Sequence, residues 1–349
     1  MKQIAAIVMC GVWSCTALAQ YTVEILHNER WPQSGCFGAR LGQQAGVIGN
    51  YWFRAMLWRG ASQAPIHLHD PSWYSSAALA TDGVRQAGHR TIGAPGTQRV
   101  YATMWSGSAQ SWVNLNPQGN EISIAYGIAG EVQVGMIKPL SASHITYAVL
   151  WRNTAESATL LHPPGWETSE AYATDGKQHV GFVKRTETQG RAAVWQDTGR
   201  RFVDLNPDGY HLSYASGVSN GQQVGTAAFE GNGHAALWYG TKESFVDLNP
   251  GDADSRWGSR ANATNGETQV GMAGSYWPVV VHQHAAAWRG TRESHINLHQ
   301  FLPAEYQGFL VGAESTATGI DADGVIVGYA KHLPTNTQHA VIWRPAKRQ

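Results

Sequence analysis

The sequence predicts an all-β fold: a seven-bladed β-propeller of four-stranded antiparallel blades, with the last blade closed by the N-terminal strand. Three observations predict it. A short strand ending in tryptophan recurs at Trp58, Trp105, Trp151, Trp195, Trp238, Trp288 and Trp343, at intervals of 47, 46, 44, 43, 50 and 55 residues. A period in the forties marks a propeller, a solenoid or an array. Three further strand signals recur around each tryptophan in a fixed order. The strand count is short by one at the C-terminus and long by one at the N-terminus.

The first strand of each repeat reads Ser-x-Ala-x-(Ala/Gly), as in Ser76-Ala-Ala78, Ser169-Glu-Ala171 and Ser213-Tyr-Ala215; the first copy is Ser34-Gly-Cys36. Alternate residues of a strand share a face, so these small residues are expected on one face at the crowded inner edge of a tapering blade. Cys36 fills an alanine slot, which makes it a small buried residue rather than a reactive thiol. A turn pair follows in most copies: Asp82-Gly83, Asp175-Gly176, Asn220-Gly221, Asn265-Gly266 and Asp323-Gly324. Such pairs between apolar runs signal a hairpin.

The second strand ends in glycine at Gly46, Gly88, Gly135, Gly181, Gly225, Gly271 and Gly328. The third carries the tryptophan, whose recurrence points to packing between blades. An outer strand then ends in leucine, as in Val203-Asp-Leu205 and Val246-Asp-Leu248, and often runs into Asn-Pro, which stops a ladder. The seventh copy, ending at Trp343-Arg-Pro345, has no outer strand after it. Val23-Glu-Ile-Leu26-His27 supplies the match, so the N-terminal strand is expected to enter the last blade and hide its edges.

The 349 residues carry 25 basic and 25 acidic side chains, only 14% charged in total, with 39 Gly and 15 Trp. No basic surplus supports nucleic-acid binding, and the aromatic content argues against disorder. Residues 1–19 read as a signal peptide: Lys2, an apolar run from Ile4 to Val12, and Ala17-Leu18-Ala19 before Gln20. That run is too short to span a bilayer. Residues 20–349 then form one domain, secreted, periplasmic or at the cell surface, with Cys36 as its single cysteine and no internal disulfide.

The repeat resembles the bacterial extracellular family named for its His-Ala-Phe motif. His234-Ala-Ala-Leu-Trp238 is the nearest match; His284 and His339 keep the histidine, and Arg54, Tyr101, Tyr147 and Arg191 replace it. The resemblance covers roughly residues 34–345, and no copy has the Phe. It implies an exported β-propeller and no catalytic residues.

No His-Glu-x-x-His, phosphate-binding loop or paired-cysteine zinc motif occurs, so no cofactor is expected. Gly217-Val-Ser-Asn-Gly221 has the letters of a nucleophile elbow but spans a hairpin between two strands. Three features remain. His27, His69, His162 and His299 recur after the outer-strand leucine, where Asn116, Asn206 and Asn249 stand in other copies; equivalent outer positions lie on a wide ring, which disfavours a metal site. The inner strands vary between their small residues, and Phe37, Tyr126, Glu170, Tyr172, Tyr214, Arg260 and Asn262 are the candidate ligand-binding set. Stacking faces with a few polar groups near the axis suit a carbohydrate. Two aromatic insertions, Ser275 to Val281 and Phe301 to Val311, read as packed lids or interaction surfaces. The sequence therefore points to an exported, non-catalytic binding or interaction propeller, for a glycan or a protein surface ligand. A secreted polysaccharide lyase or glycosidase with its site at the channel mouth is the rival. Glu170 is the only carboxylate in the variable inner set, and a glycosidase needs two.

Overall fold

The computed structural model describes residues 21–346 apart from 95, 142–143, 186–189, 197–200, 230, 252–256, 276–281 and 309–311. The expected signal peptide, most of the Ser275-to-Val281 insertion and the end of the second insertion lie outside the described residues.

The described chain is built from antiparallel strands joined by hairpins and short 3-10 turns. None of its helices is long and apolar enough to cross a membrane. The strands form five four-stranded sheets and one eight-stranded sheet. In the latter, two four-stranded sets meet at one parallel pairing, Val100 with Ile122. Six of the sets run inner, second, third and outer strand in chain order; the last takes its outer strand from the N-terminus. The inner strands are Ser34–Arg40, Ser75–Thr81, Asn120–Ala129, Thr168–Thr174, Leu212–Ser219, Trp257–Thr264 and Ser315–Ile320. The sets are numbered one to seven in that order.

The hairpins form where the turn pairs stand: Gly83, Gly176, Gly221, Gly266 and Gly324 all adopt positive φ, a conformation glycine takes without a Cβ penalty. The last set, Ser315–Ile320, Ile326–His332 and Thr337–Pro345, receives Tyr21–Ile25 as its fourth strand, antiparallel, with Val23 opposite Trp343. Glu24 accepts from the Arg344 guanidinium beside this pairing.

Neighbouring inner strands touch in order, the first against the second and so on to the seventh, and the seventh touches the first. The core lies between sets. All seven repeat tryptophans are essentially fully buried, and each sits in a cluster that draws residues from adjacent sets, such as Trp195 with Val134, Leu150 and Ala171.

A recurrent hydrogen-bonded bridge also crosses every junction. One serine of each inner strand accepts the backbone N–H of an alanine on the third strand of the preceding set, at 2.8–3.0 Å in all seven cases, from Ala55 to Ser76 through to Ala340 to Ser34. That N–H would otherwise be a buried orphan donor. Cys36 is completely buried, and burial pushes its thiol well above the usual range, which removes the thiolate that reactivity requires.

The second insertion forms two 3-10 turns, Leu298–Phe301 and Ala304–Tyr306. Leu302 and Tyr306 are buried against the last two sets, and the turns contribute nothing to the lining of the axial cavity. This part of the insertion is a packed segment rather than a cover over the axis.

Candidate functional site

Each inner strand is bulged at one recurring position, and the third has a second register shift near its start, between Asn120 and Ile122. Strand pairing skips Phe37, Leu79, Tyr126, Tyr172, Ser216, Asn262 and Thr318 in turn. An extra residue in a strand breaks the period-two alternation and re-aims its side chain. The expectation that Ser, Ala and the following Ala or Gly share one face is therefore corrected, because the bulge falls between the second and third small residue. All seven bulged residues line one axial cavity of about 200 Å³.

The bulge also explains the second-strand glycines. Each lies opposite its bulge, and a Cβ there would come within 1.8–2.0 Å of an inner-strand carbonyl oxygen. No side chain fits. Small residues past the bulge meet the next inner strand: a Cβ on Gly217 would sit 2.8 Å from Ala263 Cα.

The candidate set divides into three groups. Phe37, Tyr126, Tyr172 and Asn262 line the cavity. Asn262 is committed to structure, since its Nδ2 donates to the Ala317 carbonyl at 2.8 Å. Glu170 and Tyr214 lie two residues before a bulge and outside the cavity lining, yet Glu170 joins the tyrosines. Arg260, at the equivalent position, is exposed and lines no part of the cavity.

Glu170 is the electrostatic centre. Thr146 donates to its carboxylate at 3.0 Å, and the Tyr126 and Tyr172 hydroxyls donate as well. Burial nevertheless dominates and raises its pKa above the ordinary carboxylate range. Burial and the nearby carboxylate both push the Tyr126, Tyr172 and Tyr214 hydroxyls up, so they remain donors at neutral pH. Tyr126 and Tyr172 pack edge to face at 5.3 Å, and Phe182 lies 5.7 Å from Tyr172 and 5.1 Å from Tyr214. Phe182 and Thr146 were not singled out from the sequence. Phe182 follows the second-strand glycine and pairs directly with Glu170, so its place follows once the register is known.

The recurring histidines have a different task. His27, His69, His162 and His299 meet the bridging serine through Nδ1 at 2.8–2.9 Å. Asn116, Asn206 and Asn249 meet it through Oδ1 at 2.7–2.8 Å. The serine hydroxyl donates to the asparagine oxygen, and the same geometry makes the histidine Nδ1 an acceptor in its neutral form. Among the described residues no group of three His, Cys, Asp or Glu is placed to hold a metal ion. Gly217-Val-Ser-Asn-Gly221 spans strand and hairpin, with Asn220 and Gly221 at positive φ and no helix after it.

No protein-family model matches the chain, and no curated protein matches it in sequence. Solved structures do. The β-propeller domain of the trilobed protease from Pyrococcus furiosus, described as having an open velcro topology, aligns over 91% of this chain and 97% of its own, with a TM-score of 0.55 at 10% identity. An oligogalacturonate lyase from Vibrio parahaemolyticus aligns over 93% and 97%, with a TM-score of 0.53 at 8% identity. A prolyl endopeptidase aligns over 91% of this chain, with a TM-score of 0.57 at 12% identity; the chain spans 51% of that protein. At these identities the likeness shows the fold alone, and that fold is propeller-like.

Proposed function

We propose that the chain is an exported, non-catalytic binding protein: a seven-bladed propeller, closed by its N-terminal strand, that holds a carbohydrate at the mouth of its axis. Closure is supported by inner-strand contacts that run from the first set to the seventh and back to the first, and by the pairing of Tyr21–Ile25 with the last set. Export, and kinship with the His-Ala-Phe repeat family, rest on the N-terminal pattern and the repeat residues of the sequence.

One observation carries the ligand class. Glu170, with Thr146, Tyr126 and Tyr172 on its oxygens, is set in a wall of four aromatic rings. Aromatic faces stack on the C–H faces of a sugar ring, and the hydroxyls and carboxylate answer its polar edge. Binding is preferred to hydrolysis because Glu170 has no carboxylate partner among the equivalent positions Gly35, Ala77, Ile124, Tyr214, Arg260 and Thr316.

Thermal unfolding of residues 20–349 against a panel of oligosaccharides tests this reading. A ligand at 100-fold its Kd stabilises the folded state by about 2.7 kcal/mol, which moves the midpoint measurably. The expected result is a rise with one sugar class that disappears in Glu170→Ala and Tyr172→Ala. No rise across the panel, or a rise that both variants retain, contradicts it.

A further inference from the structure

A second cavity, of about 260 Å³, opens where the seventh, first and second sets meet. Its origin lies in two small residues. Among the positions two residues before each bulge, the first two sets carry Gly35 and Ala77, where the others carry Ile124, Glu170, Tyr214, Arg260 and Thr316. Phe37 and Leu79 line this cavity as well as the axial one, so they form the wall between the two. Val47 and Phe53 add apolar sides.

Polar residues complete the lining. His89 Nδ1 is buried with no hydrogen bond. Burial holds this imidazole neutral, its pKa lowered to about 4. The side chains of Gln33, Gln338 and Tyr329 also line the cavity, and none is hydrogen-bonded to another described residue. No charged side chain is among the lining residues.

Beside the cavity the chain presents a run of exposed aromatics. Tyr51, Trp52 and Phe53 are 83%, 54% and 42% exposed, and Trp52 packs on Tyr74 at 3.9 Å. Gly49 turns the chain into this run at φ 115°, where a Cβ would lie 2.5 Å from the Trp52 carbonyl oxygen. Exposed aromatics in one turn need a reason that scattered surface apolars do not.

We propose that this cavity is a subsite for one uncharged pyranose ring of a glycan, with Tyr51 and Trp52 as the platform for the next ring outside it. The proposal rests on the reading of the axial mouth as a carbohydrate site and names the class of sugar. The volume lies below the roughly 300–1,000 Å³ of pockets for drug-sized ligands, which suits a single ring. A charged sugar would bury its charge with no counter-ion. An apolar protein side chain would fill the space but offer no hydrogen bond to the half-buried Gln33 amide and Tyr329 phenol. A neutral pyranose offers an apolar face to Phe37 and Phe53 and hydroxyls to the Gln33 and Gln338 amides and the Tyr329 phenol, with the neutral His89 ring as part of the wall.

The test is calorimetric titration of residues 20–349 with cellotriose, maltotriose and mannotriose, beside trigalacturonate and N-acetyltyrosinamide. A leucine at position 35 would fill the cavity, and that backbone accepts a side chain, since a Cβ there meets only the Phe37 ring at 3.6 Å. The expected result is that one neutral trisaccharide binds, and that Gly35→Leu and Gln338→Ala each weaken it, the former at least tenfold. Both variants should keep the wild-type thermal midpoint; should Gly35→Leu not fold, Gln338→Ala and His89→Ala carry the test. Neutral-sugar binding lost in Glu170→Ala but untouched by Gly35→Leu, or by the other two variants, overturns the subsite and leaves the axial reading intact. Binding of trigalacturonate or N-acetyltyrosinamide in place of the neutral sugars, sensitive to Gly35→Leu, overturns the sugar class. Binding of no sugar at all overturns both readings.

Discussion

Gly225 shows what a single residue does here. Its Cβ would lie 1.9 Å from the Tyr214 carbonyl oxygen, across from the bulge at Ser216. Overpacking a close-packed site costs about 1–3 kcal/mol, and a backbone contact this short belongs at the upper end. Gly225→Ala is therefore expected to destabilise by about 3 kcal/mol. Gly119→Ala is the contrast: its φ is 86° but nothing lies within 4 Å, so only the left-handed backbone cost of about 1–2 kcal/mol applies. Urea midpoints would separate the two, and equal losses would refute the steric account of the bulge. The recurrence of this glycine was legible in the sequence. Its cause was not, because a bulge is a property of two paired backbones. The same bulge hid which variable residues reach the axis, and it separates Tyr172, on the cavity, from Arg260, in solvent.

At the scale of the element, strand order and hairpins were legible because each strand repeats its own signal and each turn pair names its geometry. The bridge between sets was half legible. In five copies His or Asn precedes the inner-strand serine by seven residues, as His69 precedes Ser76 and Asn206 precedes Ser213. The longer spacings of Asn249 to Ser259 and His299 to Ser315 obscured the pairing. The bridge makes stability depend on pH. Burial lowers the pKa of the bridging His27 to about 4 and also lowers those of His69 and His162; His339, which is outside the bridge but stacked on His27, is likewise lowered to about 4. The unfolded chain, with histidine near 6.5, then binds more protons than the folded one. Stability is full above pH 6.5 and falls as pH drops towards 4. Glu170, raised by burial, works in the opposite sense as it takes up its proton. The urea midpoint is expected to fall between pH 7 and pH 4.5, and His69→Asn, which copies the other sets, should reduce that fall. A midpoint that is flat over this range would contradict the role given to the buried histidines.

For the whole molecule, the mismatch in strand count at the two termini was the most informative feature of the sequence. It led to the pairing of Tyr21–Ile25 with Thr337–Pro345 over more than three hundred residues of chain. A fourth strand from the far terminus covers the outer edge of the last set, and the Ala340–Ser34 bridge joins that set to the first. The sequence was much less informative about the axis. It located the inner strands and Glu170, but the cavity between the seventh, first and second sets arises from missing side chains at Gly35 and Ala77, which no motif marks. The axial mouth is proposed as the place where a sugar binds. A crystal structure of the protein grown with the oligosaccharide that most raises its unfolding midpoint tests that claim most directly. The account predicts sugar density stacked on Tyr126 and Tyr172 within reach of Glu170. Density confined to the outer strands, with the axial mouth free of sugar, would contradict it.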